Sequence, residues 1–313
     1  MRHVIIDTDP GIDDALALML ALSSPELRVE AVTTVVGNVS QEKAHRNALK
    51  ILDFLGVSDI PVARGASKPL RREASDSTWI HGGTGLGDAV LPEPKPRSDE
   101  RSAIEVILEK VEALSKRLTL IAIGPLTNIA SVILTEHGVV NKGVRLVIMG
   151  GAFNVTPYGH GNVTPVAEFN IWHDPDAAKV VFDSGMRVTA VGLDVTNNPA
   201  NRLSKSRFEE IEKLGTRRSR LVADLCRGQV HRFNGLSLHD PLTIAAALDP
   251  SLVDKRRFIV DVETAGEITL GQTVADRRDL HLIRSRREPN VDVCVSVDSE
   301  RFFRLFMERV VHV

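Results

Sequence analysis

Short apolar runs and amphipathic segments alternate along most of the chain. Residues 4–6 and 29–36 are apolar and rich in β-branched side chains, as buried strands are, and each run precedes a segment with helical spacing. The apolar positions of residues 41–55, for example, recur every three or four residues and fall on one helical face. This alternation predicts an α/β fold, with a Rossmann-like, open, mostly parallel sheet and helices on both of its faces.

The same criteria predict the remaining elements. Strands are expected at residues 60–63, 118–123, 144–149, 188–193 and 291–297. Helices are expected at residues 13–22, 103–114, 126–134, 176–182 and 241–248, with a largely helical segment at 203–228 and a helix at the C-terminal end. Residues 65–99 are rich in glycine and proline and are expected to form a long loop. Because no linker or repeat divides the chain, we predict one domain over residues 1–313.

Composition narrows the class of protein. Hydrophobic residues make up 43% of the 313 residues, which is enough for a sizeable core without a metal ion or disulfide to hold it. The 39 basic and 41 acidic residues give a net charge of -2, which argues against a nucleic-acid binder. No apolar run is long enough to span a membrane, and Cys226 and Cys294 are too far apart for metal-ligand spacing. We therefore expect a cytoplasmic protein without nucleic-acid or membrane partners.

Four carboxylates follow the first predicted strand: Asp7, Asp9, Asp13 and Asp14. So many like charges repel one another unless a cation neutralises them, and hard cations such as calcium and magnesium prefer oxygen ligands. A helix cap alone needs only one such side chain, so the cluster favours a metal or catalytic site. An Asp-x-Asp sequence after a strand is also typical of haloacid-dehalogenase-type phosphotransferases, which leaves open a magnesium-dependent phosphohydrolase built on Asp7 and Asp9.

Residues 7–15, Asp-Thr-Asp-Pro-Gly-Ile-Asp-Asp-Ala, resemble the signature of the inosine-uridine-preferring nucleoside hydrolase family. Further stretches resemble that family in the same order and cover nearly the whole chain; they are residues 33–38, 81–85, 124–130, 149–151, 167–170 and 239–241. The phosphotransferase interpretation accounts for none of these later stretches. The resemblance implies the nucleoside hydrolase fold and an N-ribosyl hydrolase, which splits the N-glycosidic bond of ribonucleosides into free base and ribose.

The resemblance also implies a bound Ca2+ ion. Its ligands would be the carboxylates of Asp9, Asp14 and Asp240 and the main-chain carbonyl of Ile123, an all-oxygen set of the kind that a hard cation requires. The ion would hold the attacking water and the ribose 2′- and 3′-hydroxyls. Asp9 would take the proton of that water as the general base.

The remaining site residues implied by the resemblance contact the sugar. Asp13 and Asn170 would bind the ribose hydroxyls, and Asn38 would lie near the same face of the sugar. Asn162 and Glu168 would bind the 5′-hydroxyl, which offers one donor and two acceptor lone pairs to an amide and a carboxylate. Nearby carboxylates would also stabilise the positive charge that develops on the ribose as the base departs.

Three histidines are candidates for the base side of the pocket. His239 matches the position that protonates the leaving base, and the ordinary pKa of imidazole suits an acid near neutral pH. His81 resembles a residue at the pocket rim, where a substrate contact and a loop-packing role are both open. His231 is expected to be structural.

Asp7 begins the acidic stretch, where it is expected to support either the loop or a neighbouring ligand.

Base preference depends on residues 75–90 and 222–236, which correspond to the family's base-contacting segments. Phe233 is the only aromatic residue of the second segment, so stacking of a purine between several rings is not evident and the sequence slightly favours pyrimidine or mixed specificity. The resemblance further implies a homodimer or homotetramer that acts on nucleosides in salvage. A nucleoside-binding protein without catalytic activity remains an alternative.

Overall fold

Twelve short strands appear in the computed structural model, which describes residues 1–74, 78–95, 100–279 and 287–312. They are β1 (Arg2–Thr8), β2 (Leu27–Thr34), β3 (Val62–Arg64), β4 (Leu118–Ala122), β5 (Arg145–Met149), β6 (Arg187–Val191), β7 (Arg202–Ser204), β8 (Gly235–Ser237), β9 (Val253–Phe258), β10 (Val260–Val262), β11 (Thr273–Ala275) and β12 (Val291–Val297). Eight of them form one sheet in the order β3-β2-β1-β4-β5-β6-β12-β9. Every neighbouring pair in it is parallel except β12 and β9, so the predicted mostly parallel sheet is confirmed.

Helices fill most of the connections between these strands. They are α1 (Ile12–Leu22), α2 (Gln41–Phe54), α3 (Thr78–His81), α4 (Ala103–Leu114), α5 (Thr127–Thr135), α6 (Phe169–His173), α7 (Pro175–Asp183), α8 (Leu193–Thr196), α9 (Lys205–Leu214), α10 (Arg217–Phe233), α11 (His239–Leu248) and α12 (Ser299–Phe306). None of the helices in the described ranges is long and apolar enough to cross a membrane.

The two faces of the sheet carry separate apolar clusters. Side chains alternate between the faces of a strand, and on β1 the side chains of Val4 and Ile6 join the cluster around α1 and α11, whereas Ile5 joins the cluster around α4, α5 and α7. All three are almost fully buried. A parallel strand covered by helices on both faces is apolar along its whole length, which explains why β1 reads as an unbroken apolar run.

Several short elements of three to five residues were not predicted, namely β7, β8, β10, β11, α3, α6 and α8. Differences in the longer elements have identifiable causes. The segment at 203–228 contains two helices, because Gly215 at φ +61° ends α9 in a left-handed turn before α10 begins. The helix predicted from residue 241 begins at His239, and Pro241 lies in its first turn. Strand β9 was not predicted, because four of its six residues are exposed at the sheet edge and charged, which hides its periodicity.

The carboxyl ends of the central strands meet at one edge of the sheet. Asp9 follows β1, Ile123 follows β4 and Met149 ends β5. In open parallel sheets this edge is where ligands bind. The topology therefore places the acidic stretch and the Ile123 carbonyl side by side, although they are far apart in the sequence.

Candidate active site

A cavity of about 720 Å³ opens at this edge of the sheet. Most of the residues predicted for the site line it, namely Asp13, Asn38, His81, Ile123, Asn162, Glu168, Asn170, His239 and Asp240. Asp9 and Asp14 are fully buried and do not line the cavity. The structure thus gathers the predicted residues around one cavity, with two of the carboxylates enclosed by protein.

Asp13, Asp14 and Asp240 form an acidic cluster, in which one carboxylate oxygen of each lies within 4.8 Å of the others. Asp13 and Asp14 stand in the first turn of α1, and Asp240 stands in the first turn of α11, where the helix dipoles favour negative charge. Burial, followed by the charge of Asp14, raises the pKa of Asp13 to about 7. Burial, followed by the charges of Asp13 and Asp14, holds the pKa of Asp240 well above its usual range. A cation would relieve this repulsion, and oxygen donors suit a hard one.

The Asp14 carboxylate is fixed by four donors. Its Oδ1 atom accepts hydrogen bonds from Thr8 Oγ1 at 2.6 Å and from the Asp9 amide at 3.2 Å. Its Oδ2 atom accepts from the Gly11 amide at 3.0 Å and from Asn38 Nδ2 at 2.9 Å. These four donors fix the orientation of the Asp14 side chain.

The Asp9 carboxylate is packed against two glycines. Its Oδ2 atom accepts a hydrogen bond from the Asn38 amide at 2.6 Å, whereas its buried Oδ1 atom has no hydrogen-bond partner among the described residues. A β-carbon added at Gly37 would lie 2.0 Å from Oδ2, and one at Gly124 would lie 2.5 Å from Oδ1. Burial and the neighbouring charge of Asp14 raise the pKa of Asp9 well above its usual range. The unpartnered oxygen therefore suits a metal ion or a proton, each of which would satisfy it.

Asp7 is buried but does not line the cavity. Its Oδ1 atom accepts hydrogen bonds from Thr33 Oγ1 at 2.5 Å and from Asn128 Nδ2 at 2.7 Å, which tie β1 to β2 and α5. Burial raises its pKa to about 7. These contacts correspond to a supporting role beneath the acidic stretch.

Asn170 connects two strand ends at the cavity floor. Its Nδ2 atom donates to the main-chain oxygen of Ile123 at 3.0 Å and of Met149 at 3.2 Å. Ile123 lines the cavity, and the hydrogen bond from Asn170 orients its carbonyl group. A carbonyl oxygen has two lone pairs, so this hydrogen bond leaves one available to a cation.

Glu168 and Asn162 lie together at another wall of the cavity. Glu168 caps α6, where its carboxylate accepts hydrogen bonds from the amides of Asn170 at 2.9 Å and of Gly151 and Ile171 at 3.1 Å. Its burial raises its pKa above the usual value. Asn162 is exposed, and its Oδ1 atom accepts from the Phe169 amide at 3.0 Å, which leaves its side-chain amide group free to donate.

Two imidazoles, those of His239 and His81, face the cavity. His239 Nδ1 lies 2.7 Å from Thr196 Oγ1, and His81 Nδ1 accepts a hydrogen bond from the Ile12 amide at 3.0 Å. Burial lowers the pKa of each to about 4, and for His239 the charge of Arg202 contributes as well. Both rings are therefore neutral at pH 7 in this structure, whereas an imidazole in water has a pKa near neutrality, the range that would suit the acid implied by the resemblance at position 239.

Several cavity residues were not predicted from the sequence. Phe169 and Trp172 line it, and so does Arg202. Phe169 and Trp172 flank the Asn170 position that the motif supplies, so proximity to that motif was the available signal. Arg202 has no local signal, because the antiparallel pairing of Arg202 with Ser237 brings it to the cavity.

Both segments that were expected to contact the base contribute residues to the cavity lining. Ile80 and His81, from residues 75–90, line the cavity. Gln229 and Phe233 also line it, and they belong to residues 222–236, which span the end of α10 and the start of β8. His231 is exposed and packs edge-on against Phe208 with ring centres 6.0 Å apart, outside the cavity lining. Residues 75–77 of the first segment lie outside the described residues.

The chain is similar to known proteins along nearly its whole length. Residues 4–304 match the family described as inosine-uridine preferring nucleoside hydrolase. The pyrimidine-specific ribonucleoside hydrolase RihA of Shewanella sp. (strain MR-7) is 42% identical over 315 aligned residues, which cover 98% of this chain and 95% of that protein. A purine-preferring ribonucleoside hydrolase from Gardnerella vaginalis has a similar solved structure, with a TM-score of 0.89 and 33% identity over 99% of this chain and 98% of that one.

A plant nucleoside hydrolase is also similar in structure, with a TM-score of 0.89 and 35% identity over 100% of this chain and 99% of that one. The two solved structures share the fold of this chain, and the family is metal-dependent in general. The acidic cluster, the cavity and the matched length lead to one assignment. The chain belongs to the inosine-uridine preferring nucleoside hydrolase family and is an N-ribosyl hydrolase of ribonucleosides.

Proposed function

We propose that this enzyme hydrolyses ribonucleosides with a bound Ca2+ ion, with Asp9 as the general base and His239 as the group that protonates the leaving base. The observation that carries the proposal is the buried acidic cluster of Asp13, Asp14 and Asp240, which opens onto the same cavity as His239. Buried carboxylates this close together are costly unless a cation balances them. A cavity of about 720 Å³ is large enough for a nucleoside.

Asp9, Asp14, Asp240 and the Ile123 carbonyl are the proposed ligands of the ion, and Asp13 adjoins them. The donor set fits, since it is all oxygen and includes the buried, unpartnered Oδ1 atom of Asp9. When bound, a calcium ion makes a coordinated water more acidic and fixes its position. Asp9 would accept the proton of the attacking water as the general base.

The ribose is proposed to lie over the acidic cluster. Asp13, Asn38 and Asn170 bind its hydroxyls, while Asn162 and Glu168 bind the 5′-hydroxyl. Asn170 and Glu168 are both buried and fixed by main-chain hydrogen bonds, so the sugar meets preorganised groups. The surrounding carboxylates stabilise the positive charge that develops on the ring as the glycosidic bond breaks.

His239 is proposed to protonate the departing base. Burial and Arg202 keep its imidazole neutral in the absence of substrate. Negative charge developing on the base opposes both effects, because a nearby anion favours the protonated form of an imidazole; the ring would take up a proton from solvent as that charge develops and pass one proton to the base, which returns it to the neutral form. His81, the second neutral imidazole at the cavity, is proposed to contact the substrate from the rim.

We propose a preference for pyrimidine nucleosides. The name of the 42% identical Shewanella protein states pyrimidine specificity, whereas the purine-preferring Gardnerella enzyme is 33% identical. The aromatic rings of Phe169, Trp172 and Phe233 offer stacking surfaces to a base of either size. Ribose release from pyrimidine and from purine nucleosides, measured separately, decides between the two preferences.

The test is release of reducing sugar from uridine, cytidine, inosine and adenosine, each with calcium and with a chelator. Calcium-dependent release, highest for the pyrimidine nucleosides, is the expected result. Asp9→Ala is expected to remove most turnover, with the circular dichroism spectrum as the control for folding. Tight uridine binding without ribose release would instead indicate a binding protein, and phosphate release from nucleotides alone would indicate a phosphohydrolase.

We also propose that the enzyme is a homodimer or homotetramer in the cytoplasm and serves nucleoside salvage. Cys226 and Cys294 are both buried, and burial raises the pKa of each thiol, so that neither is poised to form a disulfide. Sedimentation analysis of the purified protein tests the oligomeric state: a monomer at all concentrations contradicts it.

A further inference from the structure

The side chain of Thr196 contacts the ring of His239. Thr196 ends α8 and is 1% exposed, and its Oγ1 atom lies 2.7 Å from His239 Nδ1. This is the hydrogen bond that the imidazole ring makes among the described residues. It therefore determines both the orientation of the ring and the nitrogen that carries its proton.

The direction of this hydrogen bond follows from the surroundings of the hydroxyl. Within the described part of the chain, Thr196 Oγ1 has no other hydrogen-bond partner. A buried hydroxyl proton without an acceptor is costly, so the hydroxyl donates to Nδ1. A neutral imidazole that accepts at Nδ1 carries its proton on Nε2.

The other ring nitrogen, Nε2, is available to a ligand. His239 lines the cavity, and its Nε2 atom has no hydrogen-bond partner in the described ranges. The Thr196 contact therefore leaves an N–H donor at the ring nitrogen opposite the threonine. If the ring were turned over, or the proton were on Nδ1, the cavity would instead meet an acceptor.

The position of Thr196 is itself firmly held. In α8, Asp194 accepts hydrogen bonds from the amides of Phe153 at 2.8 Å and Val155 at 2.7 Å, which join the helix to the loop after β5. Asn201 Nδ2 donates to the Val195 carbonyl at 2.9 Å, which closes the turn after the helix. A rigid support of this kind preserves the geometry of the group that it positions.

We propose that Thr196 is a positioning residue, which presents His239 to the departing base with the ring proton on Nε2. The proposal rests on the proposed function, in which His239 assists the departure of the base. Thr196 acts through the histidine and has no direct contact with the reacting atoms in this proposal. Loss of the Thr196 hydroxyl should therefore affect only those reactions that need the N–H group of His239 as a donor.

Thr196→Val removes the hydroxyl and keeps the branched shape, and two substrates reveal its role. Uridine needs help at its leaving base, whereas p-nitrophenyl riboside releases a stable phenolate that needs no proton. We expect kcat/KM for uridine to fall roughly tenfold or more, as part of the contribution of a general acid. Hydrolysis of p-nitrophenyl riboside should stay within about twofold of the wild type, and Thr196→Ser, which restores the hydroxyl, should recover most of the activity on uridine.

The chain offers a matched control. Thr243 is also buried, and its hydroxyl donates to the main-chain oxygen of His239 at 3.1 Å without touching the ring. Thr243→Val should leave the ratio of the two activities unchanged. An equal loss on both substrates in Thr196→Val, or no loss on uridine, overturns the proposal.

A double variant tests whether Thr196 acts through the histidine. In the His239→Ala background, Thr196→Val should slow uridine hydrolysis by less than about twofold, since residues that act as a unit are not additive. A full second loss would show an independent, structural effect and contradict the proposal.

A second measurement does not depend on turnover or on the stability of the variants. Nitrogen NMR of the histidine rings in the wild-type protein, with the His239 signals identified from His239→Ala, should show a protonated Nε2 and an accepting Nδ1. The opposite tautomer would overturn the proposal. If the wild type released no ribose from any nucleoside, the proposed function would fail and the catalytic role of Thr196 with it, whereas the tautomer would still be established.

Discussion

Gly37 lies so close to Asp9 that a β-carbon at position 37 would fall 2.0 Å from the Asp9 Oδ2 atom. No side chain larger than hydrogen fits there while the carboxylate keeps its hydrogen bond to the Asn38 amide. Gly37 therefore belongs to the site through the space that it leaves, although it offers no functional group.

Gly37→Ala is expected to reduce uridine hydrolysis roughly a hundredfold, because a misplaced catalytic group can cost that much. Steady-state kinetics measure the effect, and circular dichroism measures folding. Gly83→Ala is the control, since Gly83 is exposed and a β-carbon there meets no heavy atom within 4 Å. Unchanged kcat in a folded Gly37→Ala protein would refute the role of Asp9 as the base.

Asp240→Asn is expected to stabilise the enzyme in chelator and to abolish its stabilisation by calcium. Without a cation, the charge of Asp240 is opposed by Asp13 and Asp14, and the amide removes that repulsion; with a cation, the amide is the poorer ligand. Thermal melting with and without calcium measures both effects. Asp59→Asn, which changes an exposed carboxylate, should alter neither, and a calcium-induced shift retained in Asp240→Asn would exclude Asp240 as a ligand.

Gly228→Ala is expected to raise the free energy of unfolding by about 1 kcal/mol, because glycine is a poor helix former. Gly228 is exposed within α10, and an added β-carbon would meet no heavy atom within 4 Å. Gly215 has the same open space but a φ of +61°, so Gly215→Ala should destabilise the protein instead. Urea unfolding of both variants measures the two opposite changes; equal signs would contradict the argument.

His45 should make the protein less stable in acid. Burial, followed by the charge of Arg64, lowers its pKa to about 4, so the folded state keeps the ring neutral while the unfolded state binds a proton below about pH 6.5. Its contribution to stability is thus present above the unfolded pKa and is lost as the pH falls from 6.5 towards 4.

The free energy of unfolding falls between about pH 7 and pH 5, and this decrease should be smaller in His45→Gln than in the wild type by on the order of 1 kcal/mol. Urea unfolding at the two values measures this difference. His137, which is exposed, provides the control substitution His137→Gln. An identical loss in the wild type and His45→Gln would show that position 45 does not contribute.

The parts of the site that follow one strand were predictable from local sequence. Three carboxylates follow the first apolar run closely in sequence: Asp9, Asp13 and Asp14. Their position after a predicted strand and the repulsion between their charges indicated a cation site without knowledge of the fold. Asp240 and Ile123 were assigned only through the resemblance, since the sheet brings them to the cluster from distant positions. The proposed liganding and catalytic roles of these residues remain predictions.

Other features had no local sequence signal. Thr196 reaches His239 because α8 follows β6 at the edge where α11 begins, and Arg202 reaches the cavity through its pairing with Ser237. The sheet itself was predicted from apolar periodicity except at its charged edge, where β9 pairs with β12. The positions of such residues are determined by tertiary contacts between distant segments. These contacts leave no periodic pattern in a single sequence.

The packing of α1 against α11 has a consequence for biosynthesis. Asp14 and Asp240 lie far apart in the sequence, so the proposed calcium site is incomplete until the chain has been synthesised through α11 and has folded. An ion that binds only the finished fold stabilises it by mass action and does nothing for a partial chain. Products truncated before α11 would lack the complete site, and a newly made enzyme would become active on nucleosides only after α1 and α11 had packed together.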